Sequence, residues 1–180
     1  MKDAKILRFK RERSDLEKNN QLDTELQGIY AATRDCLAAN KEQAWAVPRA
    51  TSPREGFAIL YTPPIQNPKI LLVGQNPRNF GVGFEDSYNR YMLSGEIPTI
   101  NAYTEFPFPL ARLVKKAFEA GHYIDTLESS LVGMNLWHCQ SEGRPDLPDE
   151  IKEVFCRNTI RIIRLLKPQN IICIGVETFN

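Results

Sequence analysis

Three short apolar runs constrain this chain more than any other feature. They are Lys69-Ile70-Leu71-Leu72-Val73, Ser130-Leu131-Val132-Gly133-Met134-Asn135-Leu136-Trp137 and Asn170-Ile171-Ile172-Cys173-Ile174-Gly175. Continuous apolar runs of this length suit strands covered on both faces, as in a parallel sheet. Segments of helical character separate them. Pro109 suits the first turn of a helix with Leu110, Leu113, Val114, Ala117 and Phe118 on its inner face, and Gly121 suits its C-terminal cap. Pro148 opens another helix, with Ile151, Phe155, Ile162, Leu165 and Leu166 apolar, and Pro168 bars its continuation. Strand, helix, strand, helix, strand predicts a three-layer α/β/α domain around a central parallel sheet. Such sheets bind ligands at the carboxyl ends of their strands, where Asn76 and Asn135 stand.

The flanking segments are read in the same way. Leu22, Leu26, Ile29, Tyr30 and Leu37 fit one helix face, with Asp23 placed as a cap and Asn40 as a stop. Residues 1–21, rich in Lys and Arg, are expected to form a charged arm or frayed helix, and residues 22–180 a single domain. Residues 46–56 read as a loop. Phe57-Ala58-Ile59-Leu60-Tyr61 reads as a short strand ended by Pro63 and Pro64. Residues 78–108 form a polar and aromatic stretch too long for mere filler, and long loops of this kind commonly carry function.

Composition excludes several classes. A chain of 180 residues with 42 % apolar and 25 % charged residues is ordinary for one globular domain. No run of about 18 apolar residues exists, so no membrane-spanning helix is expected. Met1-Lys2-Asp3-Ala4-Lys5 lacks the apolar core of a signal peptide, which points to the cytoplasm. Cys36, Cys139, Cys156 and Cys173 are scattered and are expected to be reduced thiols. A net charge of +1 gives no general attraction to nucleic acid, so any DNA binding must arise from local charge.

Leu71-Leu72-Val73-Gly74-Gln75-Asn76-Pro77 resembles the first active-site motif of the uracil-DNA glycosylase superfamily: a buried strand, Gly, a variable residue, Asp or Asn, then Pro. Gly133-Met134-Asn135-Leu136 is similar to the strand whose Asn reads the uracil edge. Residues 166–175 resemble the helix end and third strand of the same fold, and Phe106-Pro107-Phe108 lies where these enzymes place the Phe that stacks on the extruded base. The resemblance runs from about Lys69 onward. It departs from the family pattern in having no fourth strand and no following His-bearing loop, which implies a member lacking that element.

The implied activity is hydrolysis of the N-glycosidic bond of uracil, or a related damaged base, in DNA. Asn76 would be the catalytic residue; as an amide it takes no proton at neutral pH and would orient water through its carbonyl oxygen. Gly74, Gln75 and Pro77 would shape the base-binding loop, with the Gln75 backbone N–H donating to the uracil oxygen, a contact worth on the order of 3 kcal/mol. Asn135 offers the acceptor and donor that the O4 and N3–H edge of uracil requires, and Phe106 or Phe108 would stack on the base. The implied partner is DNA containing uracil or a damaged base.

Other residues carry blander readings. His138 is expected to be a surface or hydrogen-bonded core histidine, His122 a helix-end residue, and Glu85-Asp86 a solvated loop. One branch of the family holds an iron–sulfur cluster, and Cys36, Cys139 and Cys156 fall near its ligand positions. A four-iron cluster normally takes four thiolates, so no metal and no cofactor are expected. Two further functions fit the sequence. One is a family member that binds nucleic acid or a protein without catalysis; the other is an enzyme acting on a small nucleotide at the same strand ends.

Overall fold

A computed structural model describes residues 2–40, 56–77, 93–139 and 147–175, with side chains of the first helix from Asn20 onward. Helix α1 spans Lys2–Ala39, strand β1 Ile70–Gly74, and helices α2, α3 and α4 span Ala102–Glu105, Pro109–Ala120 and Ile124–Ser129. Strand β2 (Leu131–Asn135), helix α5 (Asp149–Leu166) and strand β3 (Asn170–Cys173) complete the order. The three strands form one parallel sheet, ordered β2-β1-β3. Ile70 pairs with Leu131 and Asn170, and Gly74 with Asn135. The chain is thus an α/β fold.

Side chains alternate across the sheet, so each strand feeds two cores. Leu71, Val73, Val132 and Met134 pack with Leu26 and Ile29 of α1 and with Ile151, Phe155 and Ile162 of α5. Leu72 and Leu131 face the other way, onto Ala102, Tyr103, Phe108, Ala111 and Leu127 of the α2–α4 layer. Helices therefore cover both faces. Across the first core Asn158 Nδ2 donates to Thr33 Oγ1 (2.9 Å), fixing α5 against α1.

Several expectations need correction. Asp23 caps nothing: α1 is already helical from Lys2, because its Lys, Arg and Glu residues are themselves good helix formers. Leu22 is the first buried side chain among those described on this helix, and Asn40 does end it, its N–H and Nδ2 both donating to the Cys36 carbonyl. Residues 57–61 are not a strand. They run antiparallel beside β2 through isolated bridges, with Asn135 N–H donating to the Ile59 carbonyl and Tyr61 N–H to that of Gly133. Ile59 and Leu60, adjacent in sequence, pack into the same core, and this breaks the alternation a ladder requires. On α3, Leu113 is 66 % exposed, and Ala111 takes the inner place instead. Helices α2 and α4, of four and six residues, went unrecognised because each is too short to show a period.

Strand β3 is the largest departure. It was expected to be buried, yet Ile171 and Ile172 are 47 % and 43 % exposed. These two residues point to opposite sheet faces, and β3 is an edge strand among the described residues.

Gly133 has a packing role. A Cβ there would lie 2.5 Å from Tyr103 Cε2 and 2.9 Å from its hydroxyl, and Tyr103 is itself buried. Gly133→Ala should therefore destabilise the protein by roughly 1–3 kcal/mol, read as a lowered urea midpoint with unchanged slope. An unchanged midpoint would mean that the Tyr103 ring moves aside freely.

Candidate active site at the strand carboxyl ends

The chain leaves β1 and crosses to β2 over the α2–α4 face, then returns from β2 to β3 over the α5 face. The connections run to opposite sides of β1, so the switch point of the sheet lies between β1 and β3 and the carboxyl end of β1 borders it. Gly74-Gln75-Asn76-Pro77 occupies that end. Leu136 N–H donates to the Gly74 carbonyl (2.8 Å) and Trp137 N–H to the Gln75 carbonyl (2.7 Å), tying the loop to the end of β2. On the other side Ile174 N–H donates to the Val73 carbonyl (2.8 Å). Asn76 and Pro77 are buried and Gln75 is half-buried, and Asn76 Nδ2 donates to the Pro77 carbonyl at 3.3 Å.

Asn135 lies directly opposite Gly74 in the parallel register. Its side chain is fully buried, and Nδ2 donates to the Ala58 carbonyl at 2.9 Å. Its Oδ1 lies 3.7 Å from where a Gly74 Cβ would sit and has no hydrogen-bond partner among the described residues. Glycine at 74 therefore keeps side-chain bulk away from a buried, unsatisfied acceptor. Leaving such an acceptor unpaired costs about 1–3 kcal/mol, which a ligand N–H would relieve.

An aromatic wall stands on the same side of the sheet. Phe108 stacks on Tyr61 with ring centroids 6.1 Å apart and meets Tyr103 at 5.8 Å. Burial pushes the Tyr61 hydroxyl above its ordinary range, and the neighbouring Asn135 side chain opposes the shift. Among the described residues no hydrogen bond to Asn135 Oδ1 is formed. Burial also raises Tyr103, with Tyr61 adding to the effect. Both phenols are thus neutral hydrogen-bond donors at physiological pH. Sequence reasoning missed Tyr61 and Tyr103; the available signal was an aromatic ending the 57–61 run and another inside the long 78–108 stretch.

The two phenylalanines separate. Phe108 is a core residue, 1 % exposed, whereas Phe106 is half-buried and lines a surface cleft with Arg112 and Lys115. The structure therefore brings Gly74, Gln75, Asn76, Pro77 and Asn135 together, sets Phe108 in the wall beside them and places Phe106 apart in the cleft. Glu85 and Asp86 lie outside the described residues.

His138 differs from both sequence readings. It is fully buried, neither ring nitrogen has a hydrogen-bond partner among the described residues, and its ring packs 4.5 Å from that of Phe155. It therefore projects into the α1–α5 core, on the face opposite Asn135. His122 follows the end of α3 with φ at 60°. All four cysteines are free thiols, and burial raises Cys36 (Glu150 adding) and Cys156. Among the described residues, no three His, Cys, Asp or Glu side chains gather as a metal-binding group. Nor is any helix among them long and apolar enough to cross a membrane.

Compared with protein-family models, with curated proteins and with solved structures, the chain matches none of them.

Proposed function

We propose that this chain is a uracil-DNA glycosylase-like protein that takes an extruded base at the carboxyl ends of β1 and β2. The observation that carries the reading is the pairing of Gly74 with Asn135, whose buried Oδ1 has no partner among the described residues. An imide edge supplies the N–H that this oxygen lacks, and the second Nδ2 proton can meet the adjacent carbonyl. Asn76, two residues beyond Gly74 on the same loop, orients water toward the sugar carbon. Because an amide is a poor base, departure of the base as an anion must supply more of the barrier reduction. Phe108, braced by Tyr61 and Tyr103, forms the apolar wall beside the base.

The test uses single-stranded and duplex oligonucleotides holding one uracil, incubated with protein and then treated with alkali. Strand cleavage by the wild type, reduced roughly 10²-fold or more in Asn76→Ala, is the expected result. The amide at position 76 also favours a second reading, in which the same pocket binds nucleic acid or a protein partner without cutting a bond. Absence of alkali-labile sites with well-folded protein would select it.

A further inference from the structure

We infer that the cleft at the α2–α3 elbow binds the phosphodiester backbone of a single DNA strand. The inference deepens the glycosylase reading by naming what holds the strand next to the extruded base. A cavity of about 250 Å³ opens there, lined by Tyr103, Phe106, Pro107, Ala111, Arg112 and Lys115.

Charge is concentrated at this place. Between Phe106 and Phe118 the chain carries Arg112, Lys115 and Lys116, with Glu105 and Glu119 flanking the stretch, although the whole chain has a net charge of only +1. Spaced three and four residues apart on α3, these cations share one face of the helix. Elsewhere Arg34, Arg161 and Lys152 are matched by Glu96, Glu25 and Asp149, while Lys69, Arg157, Arg164 and Lys167 stand on or next to other elements rather than beside this cleft. Arg112, Lys115 and Lys116 have no ion pair among the described residues; Glu105, on the cleft rim, is the acidic side chain among those lining it. Arg112 is also prepositioned, its Nε donating to the Pro107 carbonyl at 2.8 Å, which leaves the terminal guanidinium nitrogens for a phosphate.

The remaining lining suits a nucleotide. Single-strand binders combine cations that follow the backbone with an aromatic face on which a base stacks, and Phe106 supplies that face beside Arg112 and Lys115. The cleft also leads toward the proposed base site. Tyr103 lines it and meets Gly133, which lies two residues before Asn135 on the same sheet face, about 7 Å along the strand. A phosphate held by Arg112 and Lys115 would thus belong to a nucleotide close to the extruded one.

The experiment is fluorescence anisotropy of a short labelled oligothymidine, titrated with the full chain between about 50 and 200 mM salt. The expected result is salt-sensitive binding that weakens roughly tenfold in Arg112→Ala/Lys115→Ala, with a log–log salt slope shallower by about 1.4. Lys115→Glu, which leaves the Arg112–Pro107 bond intact, should weaken binding too, whereas Lys115→Arg should retain it. Equal binding by wild type and double variant, or no binding by wild type at low salt, would overturn the inference. Base release is read separately in the alkali assay. Cleft-dependent binding without release would remove the glycosylase chemistry and leave the strand-binding cleft in place.

Discussion

Phe155→Ala should destabilise the protein by about 3–5 kcal/mol, the range expected when a buried aromatic is cut back to a methyl group. Phe155 is fully buried in the middle of α5, in the core that joins α1, α5 and one face of the sheet. Its ring lies against that of His138, so truncation also removes an aromatic packing partner of a buried imidazole. Collapse into the cavity is resisted, because the buried Asn158–Thr33 bond, about one turn beyond Phe155, holds α5 to α1. Domains are stable by only about 5–15 kcal/mol, so the loss is a large share of the total. Urea unfolding followed by circular dichroism would measure it. Phe155→Leu, which keeps most of the volume, should cost clearly less. A loss below about 1 kcal/mol for Phe155→Ala would show that this core repacks readily.

Acid should weaken the fold through His138. Burial pushes its imidazole down to about 3 from an ordinary value of 6.5. A lowered histidine is neutral when folded, so below pH 6.5 the unfolded chain takes up the proton first. Stability is therefore full above about pH 6.5 and falls as the pH drops toward 3, where the folded protein also protonates. The slope approaches ~1.4 kcal/mol per pH unit, giving a loss of roughly 2 kcal/mol between pH 7 and pH 5. Urea midpoints for wild type and His138→Leu at the two pH values would isolate the contribution. The variant should lose most of this pH dependence. At pH 7 it should match or exceed the wild type, since it removes two buried nitrogens that have no partners among the described residues. An equal loss in the variant would assign the acid sensitivity to other groups.

The two histidines show where reading a sequence stops. His122 could be placed because Gly121 marks the helix end in the sequence. Gly121 nevertheless stays right-handed (φ −84°), and His122 itself makes the left-handed turn (φ 60°). The environment of His138 could not be foreseen, because it depends on Phe155, brought near only when α5 packs on the sheet. The same contrast separates the two phenylalanines of Phe106-Pro107-Phe108. Neighbours in a short segment, they have opposite surroundings: one lines a cleft and the other joins a buried stack with Tyr61 and Tyr103.

Local patterns determined the architecture. Continuous apolar runs mark β1 and β2, Pro109 and Gly121 bound α3, and Pro148 and Pro168 bracket α5, since proline and glycine act through the backbone of their own segment. The alternation of these elements then requires parallel strands and puts Asn76 and Asn135 at their carboxyl ends. Tertiary structure alone decided what surrounds those residues. The β2-β1-β3 order sets Gly74 against Asn135, the irregular 57–61 segment occupies one Asn135 donor at Ala58, and edge placement leaves Ile171 and Ile172 exposed despite a sequence that reads as core. Burial and hydrogen-bond satisfaction depend on neighbours distant in the chain, and no periodicity within one segment encodes them.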